Sequence, residues 1–255
     1  MDGSLVTEVV NFLLEPWSGA AVHRIPAAWA WHGRLMVLAG AVLFPVGVML
    51  ARYYKVTRRQ SWPRELDNRF WWNGHQLAQY LGIGLMTAAV GILWMACSGG
   101  GSAEWSCTSD GMTRHELAGL AALGAGWLQV VLGLARGSKG GPTDSGANPG
   151  NPDTWRGDHY DMTPRRIWFE WSHKVIGYLA LVLAVVAIVT GLVHADAPRW
   201  MFLVLIAWWT GLLAWAVRMQ RQGRNIDTYQ AIWGPDPSHP GAKRKPTGFG
   251  VRRYR

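Results

Sequence analysis

Five apolar segments, each long enough to cross a lipid bilayer, dominate this 255-residue chain. A membrane-spanning helix needs about 20 apolar residues. Its backbone groups must bond within the helix, because lipid offers them no other partners. The sequence therefore predicts an all-α fold, an integral membrane helical bundle with five transmembrane helices. The predicted spans cover residues 26–52, 68–96, 112–136, 164–193 and 198–217.

The composition also favours a membrane protein. Charged residues make up 16% of the chain, below the roughly 25% that is typical of soluble proteins. The 17 tryptophans suit helix ends at a membrane interface, where an amphipathic ring keeps one wet side. A net charge of +9 would suit nucleic-acid binding, but the basic residues lie between apolar segments, as in membrane proteins. We therefore expect membrane lipid, and no nucleic acid, as the surroundings of the chain.

Lysine and arginine are distributed unequally between the two sides that five spans define. Twenty of them fall in the loops and tail on one side, and four fall on the other. Because basic loops stay in the cytoplasm, we predict a cytoplasmic C-terminus and an N-terminus outside. We expect a bacterial inner membrane, in which the outer side is periplasmic.

The sequence divides into three predicted regions. Residues 1–25 hold a short amphipathic helix that lies on the membrane surface or packs against the bundle. Residues 26–219 form the membrane domain. Residues 220–255 form a basic, extended cytoplasmic tail, which is either solvated or bound to anionic lipid or a partner. Cys97 and Cys107 share one outer loop and form either a disulfide or two separate thiols.

Four of the eight histidines lie inside predicted spans, one in each of the first four. An ionisable side chain within a span is energetically costly and usually functional. The four are His32, His75, His115 and His173. The remaining histidines fall in predicted loops or at helix ends, and we expect them to be ordinary surface residues. They are His23, His159, His194 and His239.

Each of the four histidines lies near the beginning of its span, and consecutive spans run in opposite directions. His32 and His115 are therefore predicted together near the outer side, and His75 and His173 together near the cytoplasmic side. Two histidine pairs at two depths suit two haems, each clamped between facing helices of a four-helix core. A zinc or copper site would require all four imidazoles to meet at one depth.

Other polar and small residues lie on the same helix faces. Arg34, Arg114 and Lys174 are neighbours of these histidines and either pair with haem propionates or extend to lipid headgroups. Gln129, in mid-span, is expected to bond a neighbouring helix or backbone. Glycines recur 4 and 18 residues after the histidines of spans three and four, where they leave room for a flat haem or permit close helix packing. These glycines are Gly119, Gly133, Gly177 and Gly191.

Several stretches of the sequence resemble the cytochrome b561 family, in particular the membrane domain that is often fused to a DOMON module. The matching stretches are WHGRLMVLAG, LARYYKV, NGHQLAQYLG, RHELAGL, GWLQVVLGLARG and FEWSHKVIGYLAL. The resemblance implies two bis-histidine b haems, with His32 paired to His115 and His75 to His173. The usual six spans and the DOMON module are not found in this sequence, which we interpret as a five-span, stand-alone version.

The resemblance also implies electron transfer across a membrane, in many members from cytoplasmic ascorbate to monodehydroascorbate or ferric complexes outside. The basic residues after LARYYKV begin with Arg52 and Lys55, which hold an anionic donor or propionates or act as positive-inside anchors.

Three functions remain open from the sequence. The first is a transmembrane electron conduit, whose donor and acceptor are unidentified and include ascorbate, quinol or a redox protein. The second is a haem-bearing anchor subunit of a larger respiratory or photosynthetic complex, for which quinone is a candidate redox partner. The third is a haem-free transporter or assembly protein that uses the histidines for protons or metals. Whether the chain is an oxidoreductase in its own right is left open.

Overall fold

Long helices make up most of the structure. The computed structural model describes residues 3–20, 24–98 and 112–254. Five of its helices are long and apolar enough to cross a membrane, which confirms the all-α, five-span prediction. Helix α1 precedes them, and the short helices α5 and α8 lie outside the spans. The helices are α1 (Gly3–Leu14), α2 (Ala27–Tyr53), α3 (Phe70–Ser98), α4 (Arg114–Leu134), α5 (Asp158–Asp161), α6 (Pro164–His194), α7 (Arg199–Arg221) and α8 (Thr228–Trp233).

Proline sets the start of several of these helices. Pro26 occupies the cap position before α2, Pro164 is the first residue of α6, and Pro198 directly precedes α7. Proline suits these positions because the first turn of a helix does not use its backbone N–H groups internally. The observed starts therefore match the predicted ones to within a residue for these three spans.

Helix α2 contains a π-helical stretch, Leu38–Leu43, within its length. Ala39, Gly40 and Ala41 in this stretch are buried, and a side chain on Gly40 would lie 3.2 Å from Ile188. The indole nitrogen of Trp208 donates a 2.7 Å hydrogen bond to the carbonyl oxygen of Ala41. Small residues thus allow the backbone of α2 to approach α6 closely, as is common between membrane helices.

The chain forms two compact units. Unit 1 draws its residues from 1–45, 81–124 and 180–214, and unit 2 from 46–80, 125–179 and 215–255. Every span contributes a segment to each unit. A buried cluster in unit 1 joins Ala41, Ile188 and Leu205.

Helix α1 is fixed at its C-terminal end in unit 1. The Arg199 guanidinium donates to the carbonyl oxygen of Phe12 and forms a 2.7 Å ion pair with Glu15. The Trp17 ring lies 4.9 Å from that of Phe202. The apolar side chains of α1 itself are mostly exposed, so its predicted position on the membrane surface stays a prediction.

The tail after α7 is folded, so the prediction of an extended tail is wrong. Tyr229, Ile232 and Trp233 of α8 are buried in a cluster with Trp71 and Tyr160 in unit 2. Tyr229 donates a hydrogen bond to the carbonyl oxygen of Tyr160. Aromatic side chains therefore bury α8 in a core that it shares with Trp71 and Tyr160, which the basic composition of the tail concealed.

Two sequence predictions lie beyond the described ranges. His23 and Cys107 both fall outside them. Both alternatives for Cys97 and Cys107, a disulfide or two separate thiols, therefore stay open, and the boundaries of the three predicted regions stay predictions.

Candidate functional site

The structure brings the four span histidines together in two pairs. In unit 1 the ring centres of His32 and His115 are 6.1 Å apart. In unit 2 the ring centres of His75 and His173 are 6.2 Å apart. These are the pairs that the position of each histidine in its span predicts.

Three of the four imidazoles are oriented by a backbone carbonyl of a neighbouring span. The Nδ1 of His32 lies 3.1 Å from the oxygen of Ala89, that of His75 lies 3.0 Å from Gly47, and that of His115 lies 2.9 Å from Ala187. A carbonyl oxygen can only accept, so each Nδ1 carries the proton. In a neutral imidazole Nε2 is then left with a lone pair, which is the form that binds a metal.

His173 differs from the other three histidines. Its Nδ1 is buried without a hydrogen-bond partner. Gln129 donates from Nε2 to the backbone carbonyl of His173 at 2.9 Å, which confirms the expected bond from Gln129 to a neighbouring helix. The Oε1 of Gln129 is also buried and unpaired. Unpaired buried polar atoms are costly. Nδ1 of His173 and Oε1 of Gln129 thus have hydrogen-bonding capacity that the protein alone does not use.

The spacing within each pair fits two ligands of one metal ion. Two imidazoles that bind a metal from opposite sides through bonds of about 2 Å have ring centres about 6 Å apart. Within residues 3–20, 24–98 and 112–254, no group of three or more His, Cys, Asp or Glu side chains could hold a metal ion. Each pair offers two imidazoles, which is the number that a bis-histidine haem iron takes from a protein, because its other four ligands belong to the porphyrin.

The basic residues that the sequence analysis placed near the histidines are exposed in unit 1 and bonded to protein groups in unit 2. Arg34 and Arg114, near the histidines of unit 1, are exposed, and Arg34 lies over the Trp31 ring. In unit 2, Lys174 forms a 3.4 Å ion pair with Glu170. Its ammonium also donates to the carbonyl oxygen of Thr247 at 2.8 Å.

Arg52 and Lys55 in unit 2 are engaged by the protein itself. Arg52 donates to the hydroxyl of Tyr178 and to the carbonyl oxygen of Phe249. The buried ammonium of Lys55 donates to the carbonyl oxygen of Ile226 at 3.0 Å. Burial lowers the pKa of Lys55 from 10.5 to about 7, and repulsion from Lys174 acts in the same direction.

Sequence reasoning missed a charged cluster around Glu170 on α6. Glu170 is buried and forms ion pairs with Arg166 at 3.2 Å and with Lys174. Its carboxylate lies 3.6 Å from Nε2 of His159, which is buried among aromatic rings. The spacing of four residues between Arg166, Glu170 and Lys174 is the signal that could have revealed the cluster.

The prediction that His159 is a surface residue is wrong. Its side chain is almost fully buried in unit 2, and this burial lowers its pKa to about 3. His239 is half-buried, whereas His194 is exposed as predicted. The His194 ring stacks on that of His115, with ring centres 6.4 Å apart.

Two of the predicted glycines have opposite surroundings in unit 1. A side chain on Gly191 would lie 2.7 Å from the His115 ring, whereas one on Gly119 would meet no atom within 4 Å. Gly191 therefore permits the close approach of α6 to His115, and Gly119 borders open space. In unit 2 a side chain on Gly177 would lie 3.6 Å from Gln129, and one on Gly133 would meet nothing.

Two curated relatives are similar to the chain. The cytochrome b561, DM13 and DOMON domain-containing protein of Arabidopsis thaliana is 25% identical over 239 residues. The putative ferric-chelate reductase 1 homolog of Drosophila melanogaster is 26% identical over 178 residues. These alignments cover 88% and 69% of this chain but only 22% of each relative. The chain thus spans about a fifth of the relatives' length. No protein-family model matches the chain, and no solved structure matches it significantly.

The buried ammonium of Lys55 predicts a pH dependence of stability. Its folded-state pKa of about 7 lies below the ordinary 10.5, so between these values the unfolded chain binds a proton that the folded chain has lost. The free energy of unfolding should therefore rise with pH over this window, by up to about 1.4 kcal/mol per pH unit. Lys55→Met keeps the apolar stem and should remove this contribution. The measurement is denaturant unfolding in detergent, followed by tryptophan fluorescence at several pH values.

The matched control is Lys245→Met, because Lys245 is exposed in the folded chain. This variant should retain the pH dependence of the unsubstituted protein. Equal slopes for Lys55→Met and the unsubstituted protein would contradict the prediction.

Proposed function

We propose that this chain carries electrons across a membrane through two b-type haems. One would be held by His32 and His115, and the other by His75 and His173. The observation that carries the proposal is the two pairs of imidazoles, each with ring centres about 6 Å apart. The similarity to a protein named for cytochrome b561 supports haem b as the group that they hold.

The protein's own residues would orient the ligands. The bonds from Nδ1 of His32, His75 and His115 to backbone carbonyls fix the tautomer in which Nε2 would be free to bind the metal. When bound, a b haem with two histidine ligands supplies a one-electron redox centre that has no open site for oxygen. In unit 1 the exposed guanidiniums of Arg34 and Arg114 are candidates to pair with propionates. In unit 2 Lys174, Arg52 and Lys55 are candidates for propionate or donor contacts.

The orientation and the redox partners are part of the proposal. The excess of basic residues supports a cytoplasmic C-terminus and an outer N-terminus, the outer side being periplasmic in a bacterial inner membrane. The two relatives come from a plant and an insect. The orientation rests on the charge distribution alone. Ascorbate, quinol or a redox protein would serve as donor. A ferric complex is the acceptor favoured by the similarity to a putative ferric-chelate reductase homolog.

Haem content provides the direct test. The purified chain, produced with ample haem, should contain two six-coordinate b haems per polypeptide in a reduced-minus-oxidised optical spectrum. His115→Ala and His173→Ala should each remove about half of the haem, because each removes one of the two ligands of a single pair. The two variants should lose spectrally different components.

The control is His194→Ala, which deletes an exposed ring that stacks on His115 and is no proposed ligand. It should keep both haems. A colourless preparation of the unsubstituted chain would exclude the proposal and favour the haem-free transporter. A single haem would mean that one histidine pair is structural.

Electron transfer itself can be measured in sealed vesicles. The chain is reconstituted into vesicles that contain trapped ferricyanide, and ascorbate is added outside. We expect loss of ferricyanide absorbance to be many-fold faster than in protein-free vesicles, and close to the protein-free rate with His115→Ala or His173→Ala. Equal rates for the unsubstituted chain and these variants would contradict transfer through both pairs.

Gly191 provides a test of the geometry around His115. An alanine side chain there would lie 2.7 Å from the His115 ring, so the ring must move. Gly191→Ala should therefore lower the haem content toward one per chain or alter the spectrum of that haem. Gly211→Ala is the matched control, because its added methyl group meets no protein atom within 4 Å and α7 carries none of the proposed ligands. If Gly191→Ala left both haems unchanged, or if Gly211→Ala had an equal effect, this account of Gly191 would be contradicted.

A further inference from the structure

Residues 243–254, which we call the C-terminal strap, form a basic segment in unit 2. The strap contains no acidic residue, and none follows Asp236 in the chain. Its cationic residues are Lys243, Arg244, Lys245, Arg252 and Arg253.

Backbone carbonyl groups hold the strap in place. Lys174 donates to the carbonyl oxygen of Thr247 at 2.8 Å. Arg52 donates to that of Phe249 at 2.6 Å, and Gln220 donates to that of Gly250 at 2.9 Å. Because these bonds use the backbone of the strap, they leave its side chains available for other partners.

The three residues that hold the strap lie at the ends of apolar runs. Arg52 and Gln220 each lie in the last turn of their span, and Lys174 directly precedes the apolar residues 175–193 of α6. The hydrocarbon of a bilayer ends where such runs end. The strap is therefore held at the level where lipid chains meet lipid headgroups.

The side chains of the strap are of two kinds, one bonded within the fold and the others exposed. Arg253 is internal: it forms a 2.6 Å ion pair with Asp227 and donates to the carbonyl oxygen of Gly241. The Phe249 ring, by contrast, is 80% exposed, and Tyr254 is 50% exposed. The other four cationic side chains of the strap are also exposed. One cation thus fixes the fold, while four cations and an aromatic ring face outward.

We propose that the C-terminal strap binds anionic phospholipid headgroups, with Phe249 inserted in the membrane interface and the exposed cations on lipid phosphates. An exposed aromatic ring at this level suits the interface. Basic residues near an anionic membrane surface are attracted to its phosphates, and an aromatic side chain beside a basic patch adds apolar burial to that attraction. An acidic protein partner would match the cations, but it would not need an aromatic ring held at the edge of the hydrocarbon.

This inference is independent of the haem proposal, because it depends on the spans and the strap alone. A basic cytoplasmic tail can follow the positive-inside rule while it stays mobile in water. The distinguishing feature here is a tail whose backbone is bonded to three span ends. Lipid binding would also keep the strap over Lys174 and Arg52.

The depth of the strap can be measured in the full chain. Phe249→Cys, made in a Cys97→Ser, Cys107→Ser background, is labelled with a polarity-sensitive fluorophore. The protein is placed in vesicles of phosphatidylcholine alone, or of phosphatidylcholine and phosphatidylglycerol in equal amounts. We expect a blue shift and stronger quenching by spin-labelled lipid in the anionic vesicles, both reduced by high salt. A label at Ser238→Cys, on an exposed loop residue, should show neither effect.

Charge variants then test which cations matter. Lys243→Gln, Arg244→Gln and Lys245→Gln together should abolish the difference between the two vesicle types. Arg59→Gln, Arg64→Gln and Arg156→Gln together remove the same charge from exposed loop positions and should preserve it. A label that stays in water in both vesicles, or inserts equally in both, would overturn the proposal. So would loss of the difference in the loop variant alone.

Discussion

The hydrogen bond from a histidine Nδ1 to a backbone carbonyl of another span is the interaction on which the rest of this site depends. A helix carbonyl oxygen has a second lone pair that its own helix does not use. His32, His75 and His115 each occupy one. The bond fixes the imidazole tautomer and joins two helices in lipid, where no water competes. The orientation of these imidazoles and the packing of the helices are therefore set by the same contacts.

Much of this arrangement could be predicted from the sequence, because a membrane helix has a known rise per residue and alternating direction. The number of residues between each histidine and the end of its span gives a depth, and depth alone pairs His32 with His115 and His75 with His173. Gln129 was predictable for a related reason, since a buried amide in lipid must find a partner on a neighbouring helix. Orientation of the rings was not predictable, because it depends on which carbonyl each Nδ1 meets.

The part of the molecule outside the spans was not predictable in the same way. The burial of His159 depends on Tyr229 and Trp233, which are some 70 residues further along the chain, and no local periodicity reports such contacts. The basic composition after α7 resembles that of a solvated tail, although the spacing of Tyr229 and Trp233 on one helix face was a signal of a small core. Rules based on the bilayer apply where lipid is the solvent, and they do not extend to segments that pack on each other.

The folded tail has a consequence for the order of assembly during synthesis. Chains are made from the N-terminus, and early segments fold first. Arg52 bonds to Phe249, Lys174 to Thr247 and Gln220 to Gly250. These three strap residues leave the ribosome after all five spans. Until then these three polar groups have no strap to bond. Translation thus gives the newly inserted helices an interval in which this end of unit 2 is uncovered, until residues 247–250 have been made.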